Sequence, residues 1–146
     1  MKHIILIALS VILILSYGRN SYACSCMTAP PPRQALKEAK AVFVGEVISK
    51  EVFDVTDQYG TQPVVRVKFS VSRKWKGVEG TEAIVHTSGW NPACGFRFEE
   101  GKKYLVYAYP DRWKLNVLET GICNRTVEIE NAKKDLRALG RGSEPK

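Results

Sequence analysis

Cys24 and Cys26, with only Ser25 between them, carry the richest chemistry in the chain, because a peptidase cut just before Cys24 would make it the first residue. A terminal cysteine offers its free α-amine and its carbonyl oxygen as available chemistry, and its sulfur for a disulfide. The preceding residues predict that cut. Ser21-Tyr22-Ala23 places small residues at −3 and −1, after a basic start at Lys2 and an apolar run from Ile4 to Leu15. That run has the length of a signal-peptide core and is short for a membrane span. Residues 1–23 therefore read as a secretory signal peptide. Two other fates compete. An uncleaved anchor is disfavoured by the short run and the cut site. Lipidation of Cys24 would block the amine, but its motif wants Leu near −3, where Ser21 stands.

Removing the leader leaves one domain, residues 24–139 with a flexible tail at 140–146, long enough for its own apolar core. The whole chain has a net charge of +7, and its leader holds Lys2 and Arg19 with no acid, so the mature part is +5. A basic surface outside the cytoplasm suits anionic glycans, envelopes or acidic proteins. The compartment argues against nucleic acid. Cys24, Cys26, Cys94 and Cys123 all lie in the mature part, and an even count in a secreted chain implies disulfides. Joining Cys24 to Cys26 would close a ring of poor geometry, which leaves two pairings open. A Cys₄ zinc site is the alternative, but the spacing lacks paired C-x₂₋₄-C elements.

The elements that must position these cysteines read mostly as strands. After Pro30-Pro31-Pro32, a short helix is expected over Arg33–Lys40, with Leu36 and Ala39 inward. Alternation predicts strands over Ala41–Phe53, with a bulge at Gly45, and over Val64–Trp75, with Val65, Val67, Phe69 and Val71 on one face. Asp54–Pro63 reads as a loop. Further strands are expected over Thr81–Thr87, Lys103–Tyr109 and Trp113–Leu118, a loop over Ser88–Arg97, and a closing helix over Ile129–Leu139. This predicts a mainly β fold, a five-stranded OB-fold-like Greek-key barrel with flanking short helices.

The chain resembles the tissue inhibitors of metalloproteinases, within the netrin-like superfamily. The resemblance rests on Cys24-Ser25-Cys26-Met27-Thr28-Ala29-Pro30, Val42-Phe43-Val44-Gly45, Trp75-Lys76-Gly77, Cys94-Gly95 and Cys123, spaced along nearly the whole mature chain. It implies the pairings Cys24–Cys94 and Cys26–Cys123. It also implies that the Cys24 amine and carbonyl chelate the zinc of a metalloendopeptidase. Ser25 would enter the enzyme's primary specificity pocket, Met27 and Thr28 would run along the primed side, and Pro92 and Ala93 would occupy the non-primed side. Two features depart from the family: Leu36 stands where a third bridge would begin, and the cysteine-rich carboxy-terminal subdomain is absent from this sequence.

Each residue also has a plainer reading. The cysteines could be simple staples, Ser25 a small spacer, Pro92 and Ala93 a turn, and Trp75, Trp90 and Trp113 core or rim aromatics. His86 is the one histidine of the mature part and falls in a strand, so no Ser/His/Asp or His-cluster arrangement supports catalysis. Asn124-Arg125-Thr126 is a glycosylation sequon, meaningful only in a eukaryotic secretory pathway. The expectation is a secreted, non-enzymatic monomer, extracellular or periplasmic, with no cofactor, no metal of its own and no membrane span once the leader is gone. Its partner would be a zinc metalloendopeptidase. The rival is a non-inhibitory module for an anionic glycan or an envelope protein.

Overall fold

Alternating apolar residues from Val64 to Val71 drive the best-defined strand of the computed structural model, which describes residues 24–58, 60–89, 94–110 and 117–146. Strand β2 runs Gly60–Lys76, with Val67, Phe69 and Val71 buried. It pairs antiparallel with β1 (Ala41–Asp57) and with β3 (Glu82–Ser88). Strand β4 (Lys103–Pro110) pairs with the first part of β1, Ala41 to Glu46. Two short strands follow, β5 (Leu118–Glu119) and β6 (Val127–Glu128). β5 lies parallel to β3 and antiparallel to β4, so the order β1-β2-β3-β5-β4 returns to β1 and closes a barrel-like ring.

The mainly β, barrel-like architecture with short helices is as expected, with three differences. Among the described residues there are six strands, because β6 adds to β4 at Tyr104 and Leu105. The expected loop at Asp54–Pro63 is the end of a hairpin, in which β1 continues to Asp57 and β2 restarts at Gly60 (φ 117°). The polar residues there sit on both faces of a two-stranded ribbon, so no apolar alternation marks it. The closing helix is split into a 3₁₀ turn at Ile129–Asn131 and α2 at Lys133–Leu139. Of the strand expected at Trp113–Leu118, residues 113–116 lie outside the described residues, and β5 begins at Leu118. The register shift between Val44 and Gly45 is the expected bulge. A Cβ on Gly45 would stand 3.1 Å from both Phe43 and Phe69, so glycine lets the two strands close there.

Strand β4 is buried on both faces, which divides the core in two. Tyr104, Val106 and Ala108 join Phe43, Val47, Val67, Phe69, Val85 and Phe98 inside the ring. Edge-on contacts link Phe43 to Phe69 (5.5 Å), Phe69 to Phe98 (5.1 Å) and Phe98 to Tyr104 (4.9 Å). Burying each such ring stabilises by roughly 1.5–3 kcal/mol. On the outer face, Leu105 and Tyr107 meet Val42, Val44, Ala35, Ala39 and Ala132 beneath the helices.

Helix α1 (Pro32–Glu38) starts on proline, whose missing N–H is no loss in a first turn. It ends where Ala39 turns extended and Lys40 N donates to Ala108 O at 2.9 Å. Leu36 packs against the outer core, as expected. Lys76 Nζ donates to the carbonyls of Leu36 (3.3 Å) and Lys37 (2.7 Å), closing the helix's C-terminal end with a cation. Beyond α2, Trp75 Nε1 donates to Gly140 O at 3.1 Å, and Lys74 and Ser143 exchange two backbone hydrogen bonds of 2.8 Å.

Candidate functional site

Cys24 is bonded to Cys94 and Cys26 to Cys123, each with a Cα–Cα separation of 5.1 Å. These are the pairings the resemblance implied. They resolve the choice left open by spacing alone, and the two anchoring segments lie side by side. Gly95 and Gly121 form an isolated antiparallel bridge, and Ile122 N donates to Cys94 O at 3.1 Å. Glycine is needed at both positions. A Cβ on Gly121 would lie 2.8 Å from Cys94 O, and one on Gly95 would run into the Ser88 carbonyl. Phe96 N donates to Thr87 Oγ1 at 2.8 Å, so the end of β3 holds the Cys94 segment from its other side. The sulfurs of Cys24, Cys26 and Cys123 lie within 4.8 Å of one another. All of them are in disulfides, so none is the thiolate that a structural zinc requires.

Between and beyond the bridges the chain faces solvent. Ser25, Met27 and Thr28 are exposed, Met27 at 91%. Pro92 and Ala93, with Trp90 and Trp113, lie outside the described residues. Next to the Cys94 segment is an open cleft of about 400 Å³ lined by Lys50, Thr87, Ser88, Phe96 and Arg97 among others.

A further anchor has no motif in the sequence. Arg125 Nη1 donates to Pro30 O at 3.1 Å. Its Nε and Nη2 grip the Asp135 carboxylate at 2.7 and 2.6 Å, and Tyr107 OH donates to Asp135 Oδ2 at 3.1 Å. Asp135 is buried and Arg125 largely so. Burial, then the Asp135 charge, pushes the Tyr107 phenol well above its ordinary value, and the bond to Asp135 raises Arg125. Asp135 belongs to the inward face of α2, three residues after Ala132. A carboxylate on an otherwise apolar face is the one sequence signal that a buried cation waits for it.

The sequon residues serve the barrel. Thr126 is buried and its Oγ1 lies 2.8 Å from Thr120 Oγ1 and 3.0 Å from its donor Tyr107 N, while Asn124 Nδ2 donates to Thr120 at 3.3 Å. His86 is buried in β3, edge-on to Phe53 at 5.2 Å, where no substrate reaches it. Among the described residues no helix is long and apolar enough to cross a membrane.

No family model matches the chain. It is similar to metalloproteinase inhibitor 2 of Homo sapiens and of Cavia porcellus, 30% identical to each over 105 residues. The similarity covers 68% of this chain and 47% of each relative, so the chain spans about half the length of the relatives it matches. Metalloproteinase inhibitor 2 of Rattus norvegicus is similar to the same extent. This is a distant relationship to proteins named for inhibiting metalloproteinases, not for catalysis.

Proposed function

We propose that the protein is a secreted inhibitor of a zinc metalloendopeptidase, and not an enzyme itself, acting through Cys24 once the leader is removed after Ala23. The observation that carries this reading is the double anchorage of the Cys24–Thr28 ridge, half-buried at Cys24 and exposed from Ser25 to Thr28, by bridges to Cys94 and Cys123. The similarity to metalloproteinase inhibitor 2 and the ring order β1-β2-β3-β5-β4, which suits an OB-type barrel, support it.

The α-amine nitrogen and the carbonyl oxygen of one residue close a five-membered ring around a metal. In the partner enzyme they would take the position of the zinc-bound water that attacks the peptide. The amine must give up its proton. Its pKa near ~8 is low enough for zinc to compete for the lone pair at neutral pH. Ser25 would enter the primary pocket with little to fill it, so selectivity would rest on Met27, Thr28 and the segment around Pro92 and Ala93. Because the bridges and Arg125 order the terminus on folding, little entropy is left to lose on binding.

The test is chemical. Cyanate near neutral pH carbamylates the α-amine ahead of lysines, whose pKa is about 10.4. Peptide mapping locates the adduct, and intact mass counts adducts and distinguishes a free amine from a lipidated Cys24. Carbamylated protein should lose inhibition of a zinc endopeptidase while keeping its unfolding midpoint. Undiminished inhibition would exclude the chelate.

A further inference from the structure

Strand β1 outruns its neighbour on one side. Its pairing with β4 stops at Glu46. The chain around Gly101 then covers it briefly: Val47 N donates to Lys102 O at 3.0 Å, Gly101 N to Val47 O at 2.9 Å, and Lys50 N to Glu100 Oε1 at 3.0 Å. From Glu51 to Asp57, no strand among the described residues pairs with that side of β1.

The pairing fixes which backbone groups face outward there. Gly89 N donates to Pro63 O at 3.1 Å, so the odd-numbered residues of this part of β2 turn toward the β3 side. The even-numbered Val64 and Arg66 then face β1 and serve Phe53 and Glu51. This leaves the N–H and C=O groups of Val52 and Asp54 pointing away from the sheet, in step with Lys50. Native edges of this kind are usually blunted by a bulge, a proline or a repelling charge. The register shifts of β1 all fall at or before Ser49, and residues 50–57 contain no proline. Val52, in the middle of this straight run, is apolar and 67% exposed.

We propose that this edge is a self-association surface, on which two copies of the chain pair antiparallel and extend the sheet across a two-fold axis at Val52. The sequence is complementary to itself in that register. Val52 meets Val52, and Lys50 meets Asp54 once on each side of the axis. The three side chains share one face of the ribbon, because they are two residues apart. Lys50 Nζ already donates to Phe98 O at 2.9 Å, and an ammonium has further donors for the facing carboxylate. Neighbouring registers are worse: one sets Asp54 against Val52, and another sets Glu51 against Glu51. Sliding further sets Asp54 against Asp54 or Lys50 against Lys50, so charge selects the pairing. The dimer is weak. A strand pair this short covers far less than the roughly 1,200–2,000 Å² of a standard stable interface, and Glu100 must give up the Lys50 amide. The inference does not rest on the Cys24 chelate.

The experiment is sedimentation velocity on the mature protein over a wide concentration range, at about 0.15 M salt to screen the net charge of the two copies. The mean mass should rise from monomer toward dimer as protein is concentrated. Lys50→Glu and Asp54→Lys each set like charges face to face and should weaken the dimer at least tenfold. The double variant Lys50→Glu/Asp54→Lys reverses both charges and should return to within threefold of the wild type, which separates pairing from any damage to the fold. A monomer at every concentration would overturn the inference. So would a dimer indifferent to the single reversals, or one that the double variant fails to restore. Amide hydrogen exchange on the unaltered protein gives an independent reading. Val52 and Asp54 should exchange more slowly as protein is concentrated, while Glu51 and Phe53, bonded to β2, should not change. Concentration-dependent protection elsewhere, with Val52 and Asp54 unaffected, would contradict the assignment.

Discussion

The sulfur of Cys24 lies 4.0 Å from that of Cys123, the cysteine to which it is not bonded. The two bridges are therefore one chemical unit, and a thiol exposed in either can attack the other. Replacing only Cys26 by Ser leaves the Cys123 thiol beside the Cys24–Cys94 bond. Attack on Cys24 would form Cys24–Cys123 and release the Cys94 thiol. Peptide mapping of the Cys26→Ser variant should find both species, whereas Cys26→Ser/Cys123→Ser should hold Cys24–Cys94 alone. Cys24–Cys94 as the sole species in the first variant would show that the sulfurs cannot align. The double variant should lose about 2–5 kcal/mol in denaturant unfolding.

Arg125 and Asp135 form the pair on which Pro30 hangs. Removing one member of a buried pair strands the other, at about 3–5 kcal/mol. Arg125→Ala should approach that loss in urea unfolding. Arg125→Lys should recover only part of it, because an ammonium cannot make the fork that reaches Asp135 and Pro30 together. Full recovery by lysine would mean that charge alone matters here.

Alkaline pH should weaken the fold through Tyr107. Its phenol is raised in the folded state by burial and by Asp135, while in the unfolded chain it titrates near ~10. Above that pH the unfolded state gives up a proton that the folded state keeps, so stability is full below it and falls as pH rises. Tyr104 and Tyr109, also raised by burial, add to the slope. The Tyr107→Phe variant should show a shallower decline between pH 9.5 and 11 than the wild type in unfolding free energy. An unchanged slope would place the effect elsewhere.

Gly95→Ala should be harmful out of proportion to one methyl group. The new Cβ meets the Ser88 carbonyl in the seam that seats Cys94. Such a clash costs about 1–3 kcal/mol when neighbours can shift. Gly80→Ala, where no atom lies within 4 Å of the new Cβ, is the control and should change the unfolding midpoint little.

These contacts show why some of the molecule was legible in its sequence and some was not. Val65 to Val71 announces a strand by period alone, and Tyr104, Val106 and Ala108 against Leu105, Tyr107 and Tyr109 describe a strand with two buried faces. The short strands at Leu118 and Val127 hold two residues each, too few for any period. The hairpin beyond Phe53 looked like a loop because Asp57, Gly60 and Pro63 are turn formers, yet they sit at or near the tip of a long ribbon. At the site, the cysteines and their secretory context pointed to bridges, but sequence separations of 70 and 97 leave pairing to the fold. Arg125 reaching Pro30 across 95 residues had no local mark at all.

On the proposed function, the Cys24 amine and carbonyl act as the zinc chelate. The most direct measurement compares inhibition constants for a zinc endopeptidase between protein beginning at Cys24 and protein beginning with one alanine before it. The extension keeps both disulfides and every contact described above, but turns the amine into an amide and fills the space where the metal would sit. Inhibition should fall by at least two orders of magnitude with no change in the unfolding midpoint. Equal inhibition by the two forms would contradict the account.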